Sequence, residues 1–247
     1  ANSSRCVSAL DLPKSAVHQQ AVTGGEEHGA AMTKAIRNTQ TRLVTLAVGA
    51  LVAATFLSGC GDPQPAPAED KAREAALASE HSPTVGNAGA KVHIVEFLDP
   101  ACGTCALFYP MVKGWMAEVP DDIRLSIRHV PFHDGVDYVV KILEASRNQD
   151  KYWETLETLL ATQQSWVQNH VVQPDRVLPA IASVGLDVEQ LEADMNSPEV
   201  LQRMEKDVAD SKVLKVVATP EYFVNGRQLP SFGQEQLANL VREELQK

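Results

Sequence analysis

Two cysteines separated by two residues, Cys102-Gly103-Thr104-Cys105, carry the most reactive chemistry in this 247-residue chain. They follow Val92–Leu98, a mostly apolar run bounded by Gly89 and Pro100 that reads as a buried strand. They precede residues 106–118, where Leu107, Met111, Trp115 and Met116 recur at roughly helical spacing, with Pro110 expected to kink the helix. A cysteine at a helix start meets unpaired N–H groups and the helix dipole, which stabilise a thiolate, so Cys102 is expected to be nucleophilic at neutral pH. Cys105 then stands where it can attack a mixed disulfide formed at Cys102, and the pair can cycle between dithiol and disulfide. Zinc ligation is a competing chemistry, because His129 and His133 supply an H-x3-H half. However, 23 residues lie between the halves, where such sites use about a dozen.

Elements that would position this pair are legible on either side. Residues 123–130 alternate Ile123, Leu125 and Ile127 against Arg124, Ser126 and Arg128, a strand pattern. Residues 136–215 read as helical almost throughout, with Asp187 and Gln190 as a capping box and Ser197-Pro198 as an N-cap followed by proline. Asn225-Gly226 predicts a short hairpin. Ser231 with Gln234 predicts the cap of a last helix whose apolar face is Leu237, Leu240, Val241 and Leu245. Strand, helix, strand, helical block, hairpin and helix in that order make a mixed α/β domain over residues 88–247. Trp115, Trp153, Trp166 and Tyr109 are expected to pack in the core, and His93 is given no role in the chemistry.

The first part of the chain reads differently. Residues 43–57 form an uncharged apolar run preceded by Lys34, Arg37 and Arg42; as a helix it reaches about 22 Å, short of a hydrocarbon core of roughly 30 Å. Basic flank and short apolar core describe an export signal over residues 32–59, with residues 1–31 an unstructured upstream segment in which Cys6 has no role. The signal ends Leu57-Ser58-Gly59-Cys60, which resembles the lipobox of bacterial lipoproteins and implies cleavage before Cys60 and lipidation of its thiol. Residues 60–87 then read as a Pro-rich to Gly-rich flexible tether, with one short helix through residues 71–79. Hydrophobic residues are 44% of the chain and charged ones 22%, which argues against disorder. A net charge of −10 argues against a nucleic-acid partner.

From residue 88 onward the chain resembles the thioredoxin superfamily, in its exported DsbA-like branch. Three features carry the resemblance: the strand–CxxC–helix unit, Glu96 six residues before Cys102, and Ala218-Thr219-Pro220 leading into the hairpin. The resemblance implies a thioredoxin-like α/β fold with an inserted helical domain over about 136–215. It also implies that Cys102 is the exposed attacking sulfur and that Cys105 resolves, with Glu96 a buried acid moving a proton to or from Cys105. Thr219-Pro220 would be a cis-proline loop that meets substrate together with Gly103 and Thr104. No metal and no cofactor beyond the Cys102–Cys105 disulfide is implied. Partners would be cysteine-containing exported proteins, a membrane or periplasmic redox partner, and a membrane through the lipid anchor, on the extracytoplasmic face.

DsbA itself has Pro and His between its cysteines, where this chain has Gly103 and Thr104. Thr104 offers a neutral hydroxyl in place of a thiolate-stabilising imidazole, and Thr219 resembles the isomerase branch. The expected role is therefore reduction or isomerisation of disulfides. The alternative from another class is a lipoprotein metal carrier holding a soft ion such as Cu(I) on the same two sulfurs.

Overall fold

The computed structural model describes residues 67–78 and 80–247; the signal, Cys60 and residues 1–31 lie outside the described residues. Helix α1 (Pro67–Leu77) and the two-residue strand β1 (Thr84–Val85) precede the central unit of β2 (Val92–Leu98), α2 (Gly103–Glu118) and β3 (Ile123–His129). Then come α3 (Val136–Ser146), α4 (Tyr152–Ala161), α5 (Gln163–Trp166), strands β4 (Val167–Gln168) and β5 (Val171–Val172), α6 (Pro174–Ala180), α7 (Val188–Asp194) and α8 (Pro198–Val213). The chain finishes with β6 (Glu221–Val224), β7 (Arg227–Gln228) and α9 (Gln234–Gln246).

Among the described residues the main sheet has the order β1-β3-β2-β6-β7. Strand β2 is its middle strand, parallel to β3 and antiparallel to β6. Period-two alternation along β2 and β3 divides the side chains between two cores. Ile94, Leu98, Leu125 and Ile127 join Cys105, Phe108 and Val112 of α2 in the larger core. Val95 and Phe97 turn the other way, against Ala76, Leu214 and Phe223. Glu96 shares parity with Ile94 and Leu98, so the fold drives a carboxylate into the core beneath α2.

The helical insertion from α3 to α8 occupies the predicted span, with three corrections inside and around it. It contains a small hairpin, β4–β5, turned by Asn169 and His170, both at positive φ (50° and 64°); without glycine at the turn, sequence carried a weak signal for it. Residues 60–87 are not a tether throughout, because α1 packs against α8 and β1 pairs with β3. The last helix begins at Gln234 from an N-cap at Gly233, so Ser231 does not cap it. The caps at Asp187 and Ser197 form as predicted, accepting from the N–H groups of Gln190 and Val200. The Asn225-Gly226 turn forms with both residues at positive φ.

On the face of β3 away from α2, Arg128 is wholly buried, although its alternation pattern reads as solvent-facing. Its guanidinium pairs with Asp207 and Asp210 of α8 and donates to the Ala76 carbonyl of α1 (2.7 Å). Asp207 also accepts from the His129 backbone N–H and pairs with His81 (both 2.8 Å). Burial alone would raise the Asp207 carboxyl, but hydrogen bonds from His81 and the charge of Arg128 hold it below its ordinary 3.8. The stability this supplies is present above pH 3.8 and is lost as the pH falls through the lower folded value. Replacing Arg128 by Met removes the wholly buried counterion that Asp207 and Asp210 share, leaving Asp207 with His81 and Asp210 with the half-exposed Lys206. Urea denaturation at neutral pH is expected to show a loss of about 3–5 kcal/mol; a loss no larger than that of an exposed pair would show that the cluster is solvated.

Candidate active site

Cys102 is the N-cap of α2, in extended conformation (φ −75°, ψ 116°). Both cysteines are present as free thiols. The sequence expectation of an exposed attacking sulfur needs correcting, since Cys102 is 8% exposed and Cys105 is fully buried one turn into the helix. The Cys102 thiol donates to the Thr219 carbonyl (3.3 Å), and the Thr219-Pro220 peptide bond is cis. The structure therefore brings Cys102, Cys105, Thr219 and Pro220 together as predicted, with Gly103 and Thr104 forming the first residues of α2. Gly103 is exposed and Thr104 half-buried.

The electrostatics of the two sulfurs are opposed. A hydrogen bond from the Cys105 thiol, against the cost of burial, lowers the Cys102 thiol from 9.0 to about 5, helped by the backbone N–H groups of Cys105 and Thr104 and by the Thr219 side chain. These are the unpaired donors of a helix start, directed at the sulfur. Burial first, then the hydrogen bond to Cys102 and the charge of Glu96, push the Cys105 thiol far up. One sulfur is an ionised nucleophile at neutral pH. The other keeps its proton until a partner takes it.

By position Glu96 is the candidate for that partner. It is fully buried on β2, neither carboxyl oxygen has a hydrogen bond of ordinary length, and its register partner on β6 is Tyr222. Burial raises it from 4.5 to about 8, with the Tyr222 hydroxyl acting in the opposite direction and the charge of Cys102 adding to the rise. An acid with that value exchanges protons near neutral pH.

Two residues that sequence reasoning missed shape the loop before Cys102. Asp99 is fully buried; one carboxylate oxygen accepts from the Ala101 N–H (2.7 Å), and the other accepts from Phe132 N–H, His133 N–H and the His133 ring (2.7, 2.9 and 2.9 Å). Asp-Pro at the end of a strand was the available turn signal. Gln163 of α5 donates to the carbonyls of Pro100 (2.8 Å) and Cys102 (3.1 Å), and nothing local in sequence announces it. Apolar side chains lie exposed on neighbouring segments: Leu107 on α2, Phe132, Val217 before Thr219, and Phe232 stacked on Phe108. The exposure of Leu107 corrects its reading as part of the packed stripe, which is Cys105, Phe108, Tyr109, Val112, Trp115 and Met116.

The histidines weighed for zinc are engaged elsewhere: the His129 ring meets the Tyr152 hydroxyl (2.8 Å) and His133 meets Asp99. Trp115, Trp166 and Tyr109 are buried as expected, and Trp153 is partly buried against Lys113 and Tyr152. His93 sits on the middle strand, bonded to Ser126 and Arg124.

A raised acid has a defined linkage sign. Between pH 4.5 and about 8 the folded chain holds the Glu96 proton that the unfolded chain has released, so this group destabilises the fold progressively as pH rises. The Cys102 thiolate runs oppositely from about 5 to 9.0, so the comparison must be made between variants of the reduced protein. Glu96→Gln is expected to gain stability relative to wild type as pH rises through 4.5 to about 8, while disulfide resolution slows by about 10²-fold. A stability difference flat with pH, with unchanged resolution, would remove Glu96 from the mechanism.

Residues 78–243 match the family model described as Thioredoxin. A thioredoxin-like oxidoreductase from Silicibacter pomeroyi superposes with a TM-score of 0.61 at 29% identity, over 71% of this chain and 98% of that one. BdbD from Bacillus subtilis superposes at 0.59 with 23% identity, over 67% and 94% of the two chains. The catalytic domain of Proteus mirabilis ScsC superposes at 0.60 with 20% identity, over 73% and 98%. These last two show the fold alone. Among curated relatives, a Na(+)/H(+) antiporter NhaA of Herminiimonas arsenicoxydans is 33% identical over 144 residues, 58% of this chain but 22% of that protein. This chain thus matches less than a quarter of that relative's length, and among the described residues no helix is long and apolar enough to cross a membrane. With the strand–CxxC–helix unit, the cis-proline loop and the helical insertion in place, the chain belongs to the thioredoxin family, with a DsbA-like fold.

Proposed function

We propose that the chain is a thiol–disulfide oxidoreductase of exported proteins, working as a reductase or isomerase. The observation that carries this reading is the opposed pair of sulfurs, an ionised Cys102 above a protonated Cys105. The Cys102 thiolate attacks one sulfur of a substrate disulfide, forming a mixed disulfide and releasing the other substrate sulfur as a thiolate, which takes up a proton. Cys105 then gives its proton to ionised Glu96 and attacks the Cys102 sulfur, expelling the second substrate thiolate and closing the Cys102–Cys105 disulfide. Two electrons pass from the pair to the substrate, and a membrane or periplasmic dithiol partner must return them. The same steps reversed oxidise a substrate dithiol.

Direction follows from how strongly the thiolate is stabilised. A Cys102 value of about 5 falls between about 7 for thioredoxin, at about −270 mV, and about 3.5 for DsbA, at about −120 mV. Thr104 supplies no cationic donor, which favours the reducing side. The Cu(I)-carrier alternative needs both sulfurs as thiolates, and the burial of Cys105 works against that. Equilibration with glutathione is expected to give a potential between the two reference values, with Cys105→Ser accumulating mixed disulfides at Cys102 and Cys102→Ser inert. Equal trapping by both variants, or a potential near that of DsbA, would overturn the roles or the direction respectively.

We further propose that Cys60 is the lipidated first residue of the exported form, placing the domain on the extracytoplasmic face of a bacterial membrane. The support is the basic flank, the short apolar run and Leu57-Ser58-Gly59-Cys60. Mass spectrometry of the N-terminal peptide of the membrane-extracted protein should show that it begins at Cys60 and carries a lipid adduct there; an unmodified Cys60 or a retained signal would refute the anchor.

A further inference from the structure

The loop 99–102 delivers Cys102 from the end of β2 to the start of α2, and its backbone groups are held from two sides. Asp99 takes the N–H side: its carboxylate accepts from Ala101 N–H, and its carbonyl accepts from Cys102 N–H (3.0 Å). Gln163 takes the carbonyl side, at Pro100 and Cys102. Asp99 belongs to the thioredoxin core, whereas Gln163 belongs to the helical insertion, 61 residues beyond Cys102. Two carbonyl oxygens can only accept, so the amide must face them with its NH2 group.

The Cys102 carbonyl is also the acceptor of the first hydrogen bond of α2, from Ala106 N–H (3.2 Å). Its orientation therefore fixes the first turn, whose Thr104 and Cys105 N–H groups point at the Cys102 sulfur. The platform for Gln163 is firm. Helix α5 is a single turn that ends at Trp166, fully buried with its indole N–H donating to the Leu159 carbonyl (3.0 Å).

We infer that Gln163 is a positioning residue for the nucleophile, the contact through which the helical insertion aims the Cys102 sulfur and the helix-start donors at one another. This inference rests on the oxidoreductase reading. Without the amide, the Pro100 carbonyl loses its protein donor and the loop can pivot about Asp99, turning the sulfur away from the N–H groups that favour its ionised form. The insertion then sets the redox balance of the pair as well as covering it.

The test uses Gln163→Met, which keeps the side-chain length and loses both donors, and Gln163→Asn, which keeps an amide too short by one methylene to reach. Thiolate ultraviolet absorbance is titrated with pH, the glutathione equilibrium is measured, and a thermal melt reports folding. Loss of about one hydrogen bond is worth about 1 kcal/mol, close to one pH unit, so the Cys102 midpoint is expected to rise by about that much in both variants. The glutathione equilibrium should shift about fivefold toward the disulfide form, with the melting temperature little changed. Variants with the wild-type midpoint and equilibrium would overturn the inference, and so would variants that lose stability with an unmoved midpoint, the behaviour of a mere strut. Because the midpoint is read whether or not a substrate is turned over, a wild-type protein inert toward disulfides would fail the proposed function without deciding this result.

Discussion

The buried carboxylate of Asp99 is the constraint on which the site depends. Removed from water, it must be met by donors, and those donors come from two segments: the turn into α2, and Phe132 and His133 beyond β3. Satisfying one side chain therefore fixes the ends of the two parallel strands and the entry to the helix that bears the cysteines. The cis-proline loop can meet Cys102 at hydrogen-bonding distance because the place of Cys102 has already been decided from the other side. Gln163 then closes the frame from the insertion.

Within that frame, burial does different chemistry at different depths. At the helix mouth, the hydrogen bond from the Cys105 thiol, together with the backbone donors, outweighs desolvation and Cys102 ionises easily. One turn down, desolvation outweighs the Asp99 backbone group at Cys105 and the Tyr222 hydroxyl at Glu96, and so controls both the Cys105 thiol and the Glu96 carboxyl. The two deeper groups each disfavour charge on the other. Ionising either one is therefore costlier while the other is charged, which ties proton movement to formation of the internal disulfide.

Local pattern made much of this legible. A strand, a CxxC and a helix start, the Thr219-Pro220 loop, the Asn225-Gly226 turn and the caps at Asp187 and Ser197 are each written within a few consecutive residues, so their geometry followed from their types. Non-local partnerships were not legible. Arg128 occupies an alternation slot that reads as solvent-facing, and only the arrival of Asp207 and Asp210 from α8 makes its burial tolerable. Gln163 looks like any polar residue on a short helix until the fold lays the insertion beside the cysteine loop. Leu107 shares the helical spacing of Met111 and Trp115, yet it lies exposed, because the buried face of α2 runs through Cys105, Phe108, Tyr109 and Val112.

Docking of α1 onto α8 changes how far the domain can roam. A chain of residues 60–87, if flexible throughout, would span nearly 100 Å at full stretch, at about 3.3–3.6 Å per residue. With α1 beginning at Pro67 and fastened through the Ala76 carbonyl to Arg128, only residues 60–66 separate Cys60 from the folded domain, and seven residues reach no more than about 25 Å. An acylated Cys60 would then confine the redox pair to a thin layer over the lipid headgroups. Under the proposed anchor, large clients would have to approach the bilayer to be served.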